Sequence, residues 1–262
     1  MRTDRFIALA TSPRPRLSWN VPLEHDGQAQ TAFTAVVLDE SGTAAWTSGL
    51  VESADPWVQL TVDLRANSHH SFTVRTRDEN DEWSDWAPPV PLETGPHTLA
   101  DWGGASWITS PPLQVLRRRF DLVDAAPRAR LHLTAQGLVR AGVNGTPVNA
   151  TASDPSRTDA DRALFRSYDV TDLLRVGSNE LDLTVARGEW ARTGLDPRVL
   201  ATLVVEHADG SRTFHGTGEG MFAGAGPVTI EEPFYLEAQE PGPTCRVRSG
   251  IHRRPRPHRR GG

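Results

Sequence analysis

Residues 31–39 read TAFTAVVLD, a run of apolar and β-branched side chains, and residues 71–78, SFTVRTRD, alternate Phe72, Val74 and Thr76 against Thr73, Arg75 and Arg77. Both patterns predict β-strands, because successive side chains of a strand point to opposite faces. DESGT at 39–43 predicts a turn, and DLRANSHH at 63–70 a polar connection. Short strands and turns at this spacing over about 85 residues predict an immunoglobulin-like or fibronectin type III-like sandwich. The Gly- and Pro-punctuated stretch ETGPHTLADWGG, 93–104, ends that pattern, so the first domain is placed at residues 1–95.

From 96 to 241 the chain is again strand-like. RARLHLTAQG (128–137) turns Leu131, Leu133 and Ala135 to one side, and NELDLTVAR (179–187) does the same with Leu181, Leu183 and Val185. ATLVVEHADGSRTFHG (201–216) predicts a hairpin turning at Asp209 and Gly210. Asn144–Gly145 is the pair that a type I′ turn favours, since both central residues take positive φ there. YDVTDLLRVGSN (168–179) predicts a short helical turn capped by Asp169 or Thr171 and closed by Gly177. One helical turn among strands fits a jelly-roll sandwich, and the predicted fold class is all-β throughout.

With 262 residues, 37% apolar and 23% charged, the chain is long enough for two such cores. It has one cysteine, Cys245, which rules out an intrachain disulfide and a Cys-rich zinc cluster. The apolar run Phe6–Ala10 is too short for the core of a signal peptide, and no stretch approaches the roughly 20 apolar residues that cross a bilayer. A cytoplasmic location without membrane contact is the expectation. Residues 242–262 hold seven arginines and no acid, leaving 21 arginines against 33 acids before them, a net charge of −12 on the folded part. An acidic body gives no electrostatic reason to bind nucleic acid. The Arg- and Pro-rich stretch 242–262 is expected to be a disordered basic tail.

Residues 83–86 read WSDW, two tryptophans three apart, just beyond Arg75 and Arg77. If those arginines leave one face of their strand and the next strand begins near Trp83 and Trp86, guanidinium and indole planes stack. Each exposed contact in such a ladder is worth about 0.5–1 kcal/mol. The box thus has a structural explanation.

Its neighbours carry a resemblance. PRLSW (15–19), QTAF (30–33), WTSGLVES (46–53), WSDWAPPVPLETG (83–95), DWGGASWI (101–108), LRRRF (116–120), ARLHLTAQGLVRAGVNGTPV (129–148) and RSYDVTDLLRVGSNELDLTVARGEWARTG (166–194) occur in this order. Together they resemble the N-terminal region of bacterial α-L-rhamnosidases of glycoside hydrolase family 78. The resemblance implies a fibronectin-like domain, then a galactose-binding-like jelly roll at 96–241. In the family, further β-domains and an (α/α)₆ catalytic barrel follow, and hydrolysis inverts through two barrel carboxylates. The family's acid segment, D-x-x-x-R-x-E-R-x-G-W, has no counterpart here, so no catalytic residue is assigned and no hydrolysis is expected from this chain alone. The resemblance ends near 241, where composition changes. A shift of reading frame is the preferred account of the tail, ahead of a nucleic-acid-binding arm.

Two loops are candidates for holding sugar or for docking on the barrel. ARGEWARTG (186–194) resembles the family's G-D-G-W-Y-x-G loop and offers Glu189, Trp190 and Arg192. DPSRTDADR (154–162) resembles P-G-W-T-D-Y-x-K-R and offers Asp154, Asp159 and Arg162, without the family's tryptophan and tyrosine. Aromatic platforms flanked by carboxylates and arginines suit sugar hydroxyls. Rhamnose-containing glycans are the partners the resemblance implies, and self-association through a surface left bare by the missing barrel is expected. A stand-alone carbohydrate-binding module and a fibronectin-type protein-interaction module are the alternatives. No cofactor is expected, and no metal, since His69–His70 lacks further ligands at metal spacing.

Overall fold

Alternating apolar residues build two β-sandwiches in succession, yet the first short strand of the chain pairs into the second of them. The computed structural model describes residues 5–7, 9–21, 29–109, 114–149, 164–187, 190, 193–225, 228–232 and 236–239, with backbone alone for Gln114, Ala225 and the last two segments. Strand β1 (Phe6–Ile7) lies antiparallel to β14 (Arg166–Asp169). β1, which the sequence places among residues 1–95, thus pairs across into the second sandwich; a two-residue strand carries no alternation from which its partner can be read.

In the first sandwich β2 (Arg16–Ser18) pairs with β6 (Trp57–Gln59). Facing them is a sheet in the order β4 (Ala44–Thr47), β3 (Ala32–Leu38), β7 (His69–Arg77), β8 (Val90–Glu93), with β5 (Val51–Glu52) also on β3. Phe33, Ala35 and Val37 of β3 and Phe72 and Val74 of β7 meet Trp46, Leu60 and Leu64 in its core. Polar atoms there are paired: the Trp19 indole N–H donates to Gln30 Oε1 at 2.9 Å, and the Gln30 amide donates to Ser53 and Asp55 carbonyls at 3.0 Å.

The second sandwich opposes two sheets. One runs β1-β14-β11-β16-β17, with β11 (Arg128–Gln136), β16 (Arg198–Glu206) and β17 (Arg212–Gly216), and β9 (Ile108–Thr109) added to β16. The other runs β13 (Thr146–Pro147), β12 (Leu138–Val143), β15 (Gly177–Ala186), β10 (Gln114–Leu122), β18 (Phe222–Ala225). A further hairpin, β19 (Val228–Glu232) and β20 (Leu236–Gln239), pairs with itself. The expected alternation holds: Leu131, Leu133 and Ala135 face Leu181, Leu183 and Val185 in one core. Asn144 and Gly145 have φ of 52° and 78° between β12 and β13, as a type I′ turn requires. The Asp209–Gly210 hairpin joins β16 to β17, with His207 N donating to Ser211 O at 2.8 Å.

Two local expectations are corrected. The helical turn is a 3₁₀ turn, Thr171–Leu173, whose N-cap is Val170 and whose C-cap is Leu174. Asp169 still accepts the Thr171 N–H at 3.1 Å, but Gly177, at φ 86°, opens β15 instead of closing the turn. Likewise no full strand begins at Trp83. Ser84 and Ala87 donate to the Thr76 and Val74 carbonyls of β7, and regular pairing with β8 resumes only at Val90. Pro88 and Pro89 have no N–H to offer the ladder between.

The even-numbered residues of β11, from Arg128 to Gln136, leave the second core and face outward, and the first sandwich covers part of that outward face. The connection passes through a 3₁₀ turn, Leu99–Trp102, held by Asp101 Oδ2, which accepts the Thr98 N–H at 2.7 Å. Trp102 is buried edge-on to Phe165 and His132, at 5.5 and 6.2 Å between ring centres. Gly103 follows with φ 63°, and a Cβ there would sit 2.2 Å from the Phe214 ring. Backbone strain and overpacking both oppose a side chain at this position. Gly103→Ala should lower stability by about 2 kcal/mol or more, read as a reduced urea midpoint with an unchanged denaturant slope.

Candidate functional site: the cleft between the sandwiches

Where the sandwiches meet, Arg130 of β11 reaches Glu93 at the end of β8. Its Nε donates to Glu93 Oε2 at 2.9 Å and its Nη2 to Oε1 at 2.8 Å, while Nη1 lies 2.8 Å from Asp169 Oδ1. The Arg130 and Glu93 side chains are only 14% and 19% exposed. Burial pushes the Glu93 carboxyl up, but the Arg130 hydrogen bonds and charge outweigh it and hold the group below its ordinary range. A second inter-sandwich contact joins Arg212 to Glu40 at 3.5 Å, and Arg212 and Arg128 both approach Glu206. Beside these pairs a narrow cleft opens, walled by Asn67, Ser68 and Thr94 from the first sandwich and Arg128, His132 and Glu206 from the second.

His132 is the buried end of this polar row. Its Nδ1 lies 2.7 Å from Ser167 Oγ, the residue opposite it on β14. Burial, reinforced by the positive charge of Arg130, pushes the imidazole down to about 3, so it is neutral. The cross-strand neighbour of His132 on β16 is Thr202, which is wholly buried. Among the described residues nothing hydrogen-bonds His132 Nε2, Thr202 Oγ1 or Asn67 Oδ1.

The residues singled out in the sequence lie elsewhere. Asp154, Asp159, Arg162, Glu189 and Arg192 fall outside the described residues, as do Cys245 and the tail from 242. Trp190 is described: its backbone N–H donates to Arg187 O at 3.0 Å, and its indole N–H is buried without a hydrogen bond among the described residues. The arginine and tryptophan residues stack as follows. The Arg75 guanidinium lies 4.7 Å from the Trp83 ring and 4.9 Å from Trp86, and Arg77 is 6.0 Å from Trp83. Ser84 Oγ accepts the Thr76 N–H at 3.0 Å, which gives the serine between the tryptophans its own structural task. Asn149 is buried and bonded to Ala141 N and Val139 O, each at 2.8 Å, so it holds β12 in place. No group of three metal-ligating side chains occurs among the described residues, and no described helix is long and apolar enough to cross a membrane.

Sequence reasoning missed the cleft. Glu93 looked like part of a polar linker, and Arg130 and His132 looked like the solvent side of an amphipathic strand. The one available signal was a histidine and two arginines on the face that alternation assigned to water.

Two β-sandwiches in tandem, the second a jelly roll, define an all-β two-domain chain. Residues 7–98 match the family described as Rha78A-like, N-terminal immunoglobulin domain, and residues 124–239 match the alpha-L-rhamnosidase N-terminal domain. The chain belongs to the α-L-rhamnosidase family, corresponding to its N-terminal portion. An α-L-rhamnosidase of Formosa agariphila is 26% identical over 254 residues, covering 84% of this chain and 27% of the relative. One from Streptomyces avermitilis is 35% identical over 144 residues, covering 49% and 14%. The α-L-rhamnosidase structure from Dictyoglumus thermophilum superposes with a TM-score of 0.79 at 22% identity, over 87% of this chain and 29% of that one. The Aspergillus terreus enzyme gives 0.77 at 25% identity, over 90% and 30%. The chain thus spans little more than a quarter of the full-length relatives it matches across both domains.

The neutral His132 sets a pH dependence. In the unfolded chain a histidine takes up its proton near pH 6.5, whereas the fold keeps His132 neutral down to about 3 and His215, stacked on Phe120, down to about 4. Between those values the unfolded state binds more protons, so stability falls as pH drops from about 6.5. Loss of the Glu93 contribution follows only at lower pH, through its depressed carboxyl. Urea melts from pH 7 to 4 should show a decline of several kcal/mol, and His132→Asn should flatten it.

Proposed function

We propose that this chain supplies the two accessory β-domains of an α-L-rhamnosidase and has no hydrolytic site of its own, rhamnose-containing glycans being substrates of the complete enzyme. The observation that carries this reading is the order and extent of the family matches: an immunoglobulin-like domain, then the rhamnosidase N-terminal domain, over about a quarter of the relatives' length. The single cysteine supports a cytoplasmic setting.

The chemistry of the described acids agrees with this. Inverting hydrolysis needs two carboxyl groups about 6.5–9.5 Å apart across a glycosidic bond, one protonated and one ionised. Several of the described acids are held by arginines: Glu93 by Arg130, Asp63 by Arg14, Asp172 by Arg5 and Glu180 by Arg119. Asp182 differs. Burial and the neighbouring Glu180 push its carboxyl up, and it lies against the backbone of Gly142 on the outer face of β15. Asp182 alternates with the buried Leu181 and Leu183 and so leaves the core on the outward side of β15.

Purified full chain should show no turnover of an aryl α-L-rhamnoside above a heat-treated control. Turnover that Asp182→Asn or Glu180→Gln abolishes would overturn the reading and assign the acids of β15 a catalytic role.

A further inference from the structure

We propose that Asn144–Gly145 is a deamidation site that the fold keeps closed, and that reaction there leaves the second sandwich permanently weakened. It is the only Asn-Gly pair in the sequence. Gly145 has no Cβ to hinder its own backbone nitrogen, so in an open chain that nitrogen can reach Cγ of Asn144. A bond from Gly145 N to Cγ forms as the Cγ–Nδ2 bond breaks, and Nδ2 leaves as ammonia with the proton of the attacking N–H. Water then opens the cyclic imide at either carbonyl carbon, which leaves aspartate or isoaspartate at 144.

The folded turn blocks the first step. Asn144 Oδ1 accepts the Glu180 N–H at 2.9 Å, and Nδ2 donates to Leu173 O and Asn179 Oδ1, both at 2.8 Å. Cγ cannot swing toward Gly145 N without breaking all three bonds. The same network decides the fate of the product. Asn179 is only 1% exposed, and its amide is pinned at both ends. Its Oδ1 accepts the Arg175 N–H at 3.0 Å, and its Nδ2 donates to the Arg175 and Gly177 carbonyls at 2.7 and 2.9 Å. Flipping Asn179 would set its oxygen against those two carbonyls, so it cannot offer a donor to position 144. A carboxylate at 144 therefore points an oxygen at two fixed acceptors, and Asn179 Oδ1 loses one of its two donors in the interior. Isoaspartate adds a backbone atom as well, which the pairing of Val143 with Thr146 across the turn does not accommodate. Access comes from local opening: β13 has two residues and lies at the edge of its sheet, so the turn can open without global unfolding.

The test is peptide mapping by mass spectrometry of the full chain held at mildly alkaline pH, once folded and once in urea. In urea, aspartate and isoaspartate should accumulate at 144 faster than at any other asparagine. In the folded chain the reaction at 144 should be slower by at least about tenfold, because only the opened turn reacts. Asn144→Asp should lower the urea midpoint with an unchanged denaturant slope. The deamidated fraction from the urea sample should refold in lower yield than the unmodified fraction beside it, which reads the same loss without a variant. Equal rates in the folded and unfolded chain, or modified chains that melt and refold like the parent, overturn the proposal.

Discussion

The Arg130 guanidinium makes the bidentate contact around which the two halves of this protein meet. Arg130 projects from the outward face of a jelly-roll strand, where its alternating neighbours Ala129 and Leu131 are committed to the core. Outward there means toward the first sandwich, and the fork of Arg130 finds the carboxylate of Glu93 at 2.8 and 2.9 Å, with Asp169 on its third nitrogen. Taking both charges out of water is expensive, and only a bidentate geometry with every donor used makes the arrangement tolerable. The pair is therefore better understood as fixing orientation than as adding much net stability. Once it is in place, His132 lies beneath it and is denied solvent, Arg212 is brought to Glu40, and the cleft takes its shape.

Apolar contacts then hold what the ion pair orients. Trp102 fills the junction between Phe165 and His132, and Gly103 lets the chain pass the Phe214 ring. At the other end, residues 5–7 and Ala10 tie the two halves together. Phe6 and Ile7 pair with β14, Arg5 is salt-bridged to Asp172, and Ala10 exchanges backbone hydrogen bonds with Glu93 and Gly95 at 2.8 and 2.9 Å. That last contact lies on the residue whose side chain meets Arg130. Backbone and side chain of Glu93 are thus tied to different parts of one junction.

The limits of sequence reading follow from what is local. Alternation named the inward set Leu131, Leu133, Ala135, Leu181, Leu183 and Val185 correctly, because core against solvent is a period-two signal. The turns at Asn144–Gly145 and Asp209–Gly210 were legible because positive φ restricts the residue types. The stacking of Arg75 on Trp83 and Trp86 was legible because it lies within one stretch of chain. The meaning of Arg128, Arg130 and His132 was not. Period two says only that they leave their own core, and what they meet depends on Glu93 and Asn67, tens of residues away in another domain. The candidate loop residues from 154 to 162 lie outside the described structure, so the site that emerged is one that no local pattern announced.

The claim that the Glu93–Arg130 pair couples the two sandwiches is tested most directly by a double-mutant cycle. Glu93→Gln, Arg130→Met and the double variant would be unfolded in urea, with separate probes for each half: Trp46 fluorescence for the first and His132 resonances for the second. The account predicts a coupling energy of about 2–3 kcal/mol and coincident transitions of both probes in the parent, separating when either partner is removed. Additive single effects, or halves that already unfold independently in the parent, would contradict it.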